Sequence, residues 1–238
     1  MAITYGGVHV GQNLGDNGGT TTGIDTTGAD LLVLVVKYND GALTTLSDSK
    51  SNTWTLVATY NSNGQKFISI YYAKNATVGT GHTFTATRTG AKINLGVIGF
   101  TGAHLTAPED NHNGFGNIFV TSIQAAGAVT PSQDNCVIVS GAFAQSNPQN
   151  LSQDAAMTET DDISGVATSS EDTALAYKIQ TTATAINPTW SWTTESTYGA
   201  TELVAFRAAA AAAQDTPELR GRPFGLHGQA QMHQLLSQ

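Results

Sequence analysis

Asp30–Tyr38 reads DLLVLVVKY, six consecutive apolar residues rich in Val between Gly28 and the turn-former run Asn39-Asp40-Gly41. A helix this short would not stand alone, and the flanking residues are strand punctuation. The stretch predicts a strand buried on both faces, with a sandwich core built on it.

Outward from it the strand signals recur. Thr53–Tyr60, Phe67–Ala73, His82–Thr87 and Ile93–Phe100 alternate or run apolar. The turns Asp48–Asn52, Asn61-Ser62-Asn63-Gly64 and Val78–Gly81 separate them. Asn63-Gly64 supplies the positive φ angles of a tight hairpin. Residues 1–29 carry a possible short strand at Ala2–Tyr5 and then GQNLGDNGGTTTGIDTTG, which reads as a long surface loop. Its glycines lack the strand, motif and helix of a phosphate cradle.

The second half repeats the first. Asp30-Leu31-Leu32-Val33 is echoed by Asp134-Asn135-Cys136-Val137, 104 residues on; Tyr72 by Tyr177, Phe84 by Trp190 and Phe100 by Phe206 follow at 105, 106 and 106. So constant an offset indicates internal duplication, and its length is far beyond a solenoid repeat. The expected fold is all-β: a two-sheet β-sandwich of jelly-roll type with internal duplication, sharing one core across residues 1–207. Two small consecutive sandwiches are the alternative.

The pattern changes after Arg207. Residues 208–213 are six alanines, too few for a stable isolated helix, and read as a connector. Residues 214–238 carry Pro217, Pro223 and several glycines, which end the sheet pattern. Phe224, Leu226, Met232, Leu235 and Leu236 are apolar, the last three at helical spacing. Burying those five would contribute on the order of 8 kcal/mol before ordering costs. They are the candidate partner-docking residues of an extended C-terminal arm.

Composition bounds the partners. Charged residues are 12% of the chain and the formal net charge is −8. Lys and Arg form no cluster of the kind nucleic-acid binding requires. The N-terminus MAITYGGVHV shows neither the basic nor the apolar region of a signal peptide, and no apolar run reaches membrane-spanning length. Neither a nucleic acid nor a membrane is an expected partner. Cys136 is the single cysteine and reads as a buried apolar residue, not a nucleophile.

Catalytic signals are thin. His104 and His112 accompany Glu109, Asp110 and Asn111 in PEDNHNG, oxygen-rich but without EF-hand or HExxH spacing. It reads as a solvated loop, with no metal or other cofactor expected. No GxSxG elbow supports a triad. Asp161-Asp162 and Glu171-Asp172 read as solvated turns without the raised pKa that acid catalysis uses. Trp190 and Trp192 project from one face of a strand, either filling the core or forming a possible ligand platform for a sugar. Trp54 and Tyr198 carry the same two readings.

The succession LSDSKSNTWTLVATY, ISIYYAKNATVGTGHTFTAT and INLGVIGFTGA, followed by DNCVIV, ALAYKI, WSW and ELVAFRA, resembles a β-sandwich module of tailed-phage virion proteins and bacterial surface proteins. The resemblance covers residues 2–207 and carries no catalytic residues. It implies a non-enzymatic structural protein of a phage particle: a capsid decoration or tail-associated protein in a virion. Other virion subunits are its expected partners and a homo-oligomer its expected state. Residues 214–238 are similar in style to the docking arms of such proteins. The bacterial members imply the alternative, a carbohydrate-binding module meeting a surface glycan through Trp190 and Trp192.

Overall fold

The computed structural model describes residues 2–117, 120–124, 128–145, 150–154, 157–163, 171–196 and 198–210, with backbone pairing alone for 120–124 and 193–196. Fourteen strands, and no helix, lie among the described residues.

Leu31–Asn39 forms β2, buried along its whole length. Its period of two sends Leu31, Val33 and Val35 into one apolar cluster and Leu32, Leu34 and Val36 into another. Antiparallel neighbours flank it: β5 (Lys66–Lys74) on one side and β6 (Phe84–Thr101) on the other. Outside them run β4 (Thr55–Ser62) and β1 (Thr4–Thr20), giving the order β1-β6-β2-β5-β4. The far end of β6 pairs on one edge with β3 (Thr45–Asp48) and on the other with the end of β1. Phe84, Ala86 and Leu46 from this region pack on the even-numbered face of β2.

The second half repeats this plan strand for strand. β9 (Cys136–Gln145) is central, flanked by β12 (Glu171–Gln180) and β14 (Tyr198–Phe206), with β11 (Thr158–Ile163) and β7 (Glu109–Asn117) outermost. A three-stranded sheet of β10 (Ser152–Gln153), β13 (Thr189–Ser196) and β8 (Val120–Gln124) corresponds to β3 and the far ends of β6 and β1. Registers agree too: Leu31 pairs with Phe100 and Val137 with Phe206; Val33 pairs with Tyr72 and Val139 with Tyr177. Even the isolated bridge Ile24–His82 has its counterpart in Val129–Ile186.

The six-stranded sheet of the first copy and the five-stranded sheet of the second face each other across one shared core. Leu31, Val35, Ile70 and Phe100 from the first copy meet Val137, Val139, Phe143 and Phe206 from the second. Contacts across it are reciprocal. Tyr72 meets Phe206 edge-on at 5.5 Å between ring centroids, and the equivalent residues Tyr177 and Phe100 meet at 5.7 Å. Reciprocity of this kind defines an approximate two-fold axis, as in an isologous dimer interface. The first copy also keeps a cluster of its own on the other face of β2, and the second keeps two, one of them holding Trp190 and Trp192 of β13. The expected all-β sandwich is therefore present, with one plan repeated in its two halves.

Three segments differ from expectation. Thr4–Thr20 is a 17-residue strand, not a loop. As an edge strand it needs pairing on one side only, and its three register shifts use the turn-formers that suggested a loop. Gly15, Asn17 and Gly18 have φ between 71° and 75°, where the bulged backbone favours Gly and Asn. A side chain at Gly18 would meet the Ala86 carbonyl oxygen at 2.1 Å. PEDNHNG likewise supplies most of edge strand β7 instead of a loop. Ala208, expected in the connector, is buried and bridges Ala103.

Candidate functional site

Trp190 and Trp192 do share a face, but that face is inward. They are 0% and 5% exposed and pack on Ala142, Ala144, Ala174 and Ala176. Trp190 Nε1 donates to Ser140 Oγ at 2.9 Å. The platform expectation is corrected here: small alanines of β9 and β12 leave a gap that two indoles fill, and no ring face meets solvent. Trp54 is partly buried, its Nε1 donating to Asp48 at 2.8 Å.

Asp48 is the polar hub of the first copy. Its carboxylate accepts from the Lys50 and Asn52 amides, Asn52 Nδ2, Trp54 Nε1 and His82 Nε2. Burial pushes this carboxyl up, but the His82, Lys50 and Trp54 hydrogen bonds outweigh it and hold it below its ordinary 3.8. The motif SDSKSNTW is thus a turn tied around one acid.

The PEDNHNG residues lie along an edge and turn to different partners. His112 Nδ1 meets Glu109 at 3.1 Å, the Ser132 amide donates to Asp110, and Asn111 Nδ2 donates to the Thr130 carbonyl. His104 Nδ1 accepts from the Ala107 amide at 3.2 Å. Among the described residues no group of three or more His, Cys, Asp or Glu is placed to hold a metal ion. Cys136 is buried, and burial pushes its thiol up.

The densest charged chemistry lies between the copies. Lys37 of β2, fully buried, donates to Asn39 Oδ1 at 2.8 Å and contacts Glu171 Oε2 of β12. The other oxygen, Oε1, accepts from Lys66 Nζ at 3.0 Å and Asn39 Nδ2 at 3.3 Å. Asn94 Nδ2 donates to the Glu171 carbonyl and to Thr173 Oγ1, both at 3.0 Å. Burial lowers the Lys37 ammonium to about 8. It would raise Glu171, but Lys37 and Lys66 outweigh it and hold that carboxyl below 4.5.

Sequence reasoning passed over this network. Glu171 and Asp172, expected in a solvated turn, begin a buried strand. The available signal was Lys37 itself, a lone cation inside a run buried on both faces. A neighbouring seam carries His9 of β1 at 3.2 Å from Asp161 of β11. Burial, and then neighbouring carboxylates, push Glu159 up to about 7 and Asp162 up to about 6. The expectation is corrected for Asp162, whose carboxyl is raised although Asp162 and Glu159 both remain exposed on edge strand β11.

The ends of the described chain meet at one pole. The His104 amide donates to the Arg207 carbonyl, and the Ala209 amide to the Gly102 carbonyl. Gly102 also lies against the Ala2 carbonyl. Leu105, in the same loop, is 48% exposed. Phe224, Leu226, Met232, Leu235 and Leu236 lie outside the described residues. No protein family, curated protein or solved structure matches the chain.

Proposed function

We propose that this protein is a non-enzymatic structural component of a tailed-phage virion, a capsid decoration or tail-associated protein held by its C-terminal arm and repeated as a homo-oligomer. The observation that carries this reading is where the arm begins. Residues 207–210 leave the sandwich beside Ala2, Gly102 and exposed Leu105. The hairpin turn at Asn63-Gly64 and the Asn39–Gly41 turn lie at the opposite pole. An arm rich in apolar residues would thus hold a rigid unit end-on and leave its far pole outward. The glycan reading loses its main support, since Trp190 and Trp192 are buried.

The test compares the full chain with a version ending at Ala210, by co-sedimentation with particles lacking this protein. Light scattering on both chains reports their assembly state. The reading expects the full chain to sediment and the shortened one to stay in solution, still folded. Equal sedimentation of both, or of neither, overturns it.

A further inference from the structure

Lys37, Asn39, Lys66 and Glu171 meet in one hydrogen-bonded cluster between the copies. Lys37 Nζ contacts Glu171 Oε2 and is steered by Asn39 Oδ1, while Glu171 Oε1 faces two donors, Lys66 Nζ and Asn39 Nδ2. The Lys37 side chain is 0% exposed and that of Glu171 is 5% exposed. We propose that Lys37 and Glu171 condense to an intramolecular isopeptide bond that covalently joins β2 of the first copy to β12 of the second.

The step needs no outside reagent. A proton passes from the Lys37 ammonium to Glu171 Oε2, giving a neutral amine and a neutral acid. The Nζ lone pair attacks Cδ, and the negative charge that develops on Oε1 falls between Lys66 Nζ and Asn39 Nδ2, which occupy the place of an oxyanion hole. Asn39 Oδ1 holds a hydrogen of Nζ and orients the lone pair. The nitrogen then gives up a proton to the departing Oε2, the Cδ–Oε2 bond breaks, and one water leaves. Ammonium and carboxylate become amide and water, so atoms and charge balance.

Two physical factors drive it. Well-oriented groups held together reach effective molarities of roughly 10⁵–10⁸ M; burial lowers the Lys37 ammonium and so favours the first proton transfer, which the lowered Glu171 carboxyl opposes. Condensation also removes two buried charges whose desolvation is otherwise a standing cost. Lys66 and Asn39 retain the amide oxygen as acceptor, so no donor is stranded.

Intact-mass spectrometry of the purified full chain is the test. The proposal expects a mass lower than the sequence mass by one water. A tryptic digest should yield one branched peptide containing both Lys37 and Glu171, without cleavage after Lys37. Lys37→Arg, which keeps the charge, should restore the full sequence mass. A wild-type chain at full sequence mass overturns the proposal, and that measurement requires no variant to fold. A one-water loss that survives in Lys37→Arg, or that maps elsewhere in the digest, overturns it equally.

Discussion

Ala103 and Ala208 hold equivalent positions in the two copies, 105 residues apart, and bridge each other in antiparallel register. Reciprocal hydrogen bonds flank the bridge: the His104 amide to the Arg207 carbonyl, and the Ala209 amide to the Gly102 carbonyl. Lys66 and Glu171, also 105 apart, meet across the same axis at the other pole. The axis is therefore fastened at both ends. Cutting the chain after Ala210 should leave thermal stability unchanged, whereas cutting after Phe206 removes both flanking bonds at about 1 kcal/mol each and the buried Ala208 methyl. Differential scanning calorimetry of the two truncations checks this; equal midpoints would show that the bridge contributes nothing.

The glycines at the seams make a second, graded prediction. Gly11 of β1 and Gly116 of β7 are equivalent residues at the two seams between copies. A Cβ at Gly116 would lie 1.9 Å from the Asn61 carbonyl oxygen; at Gly11 it would lie 2.7 Å from the Asp161 carboxylate. Backbone cannot swing aside as a side chain can. Gly116→Ala should cost about 3 kcal/mol or more, at the upper end of overpacking. Gly11→Ala should cost less, by displacing Asp161 from His9. Urea denaturation of both variants orders them, and a Gly11→Ala variant less stable than Gly116→Ala would contradict the account.

These particulars mark how far the sequence could be read. DLLVLVVKY announced a strand buried on both faces because nothing polar interrupts Leu31–Val36, and the offset of Phe100 to Phe206 proved to be shared register. Strand β1 was illegible for a physical reason. Bulged edge strands use Gly, Asn and Asp, the residues that also make loops. Trp190 and Trp192 could be placed on one face, but which side that face met depended on alanines contributed by β9 and β12. Lys37 and Glu171 lie 134 residues apart, and only the facing of the two copies brings them together.

Glu202 supports a prediction in pH. It is buried on β14, its Oε2 accepts the Ile70 amide at 2.9 Å, and its Oε1 has no hydrogen-bond partner among the described residues. Burial pushes this carboxyl well above its ordinary 4.5, so the folded state binds a proton that the unfolded chain releases. Its contribution is complete below 4.5 and declines as pH rises towards the folded-state value. Glu159 and Asp162, raised to about 7 and about 6, add slope of the same sign. Glu202→Gln, neutral at every pH, should gain on wild type steadily as pH rises above 4.5. Chemical denaturation across that range reports the difference, and a constant difference would mean Glu202 is not protonated in the fold.

Trp190 decides between packing and ligand contact. Its ring is fully buried against Ala142, Ala144, Ala174 and Ala176, and its Nε1 bonds Ser140 Oγ. Trp190→Ala should therefore cost about 3–5 kcal/mol, the range for emptying a core site of a large aromatic. Trp190→Phe should cost less, since Ser140 Oγ keeps its bond to the Glu202 carbonyl at 3.2 Å and most of the volume remains filled. The phenyl ring is an apt replacement because Phe84 occupies the equivalent place in the first copy. Both costs are read from urea midpoints, together with the fluorescence of the remaining tryptophans. A Trp190→Ala variant as stable as wild type would return the residue to the surface and reopen its reading as a ligand platform.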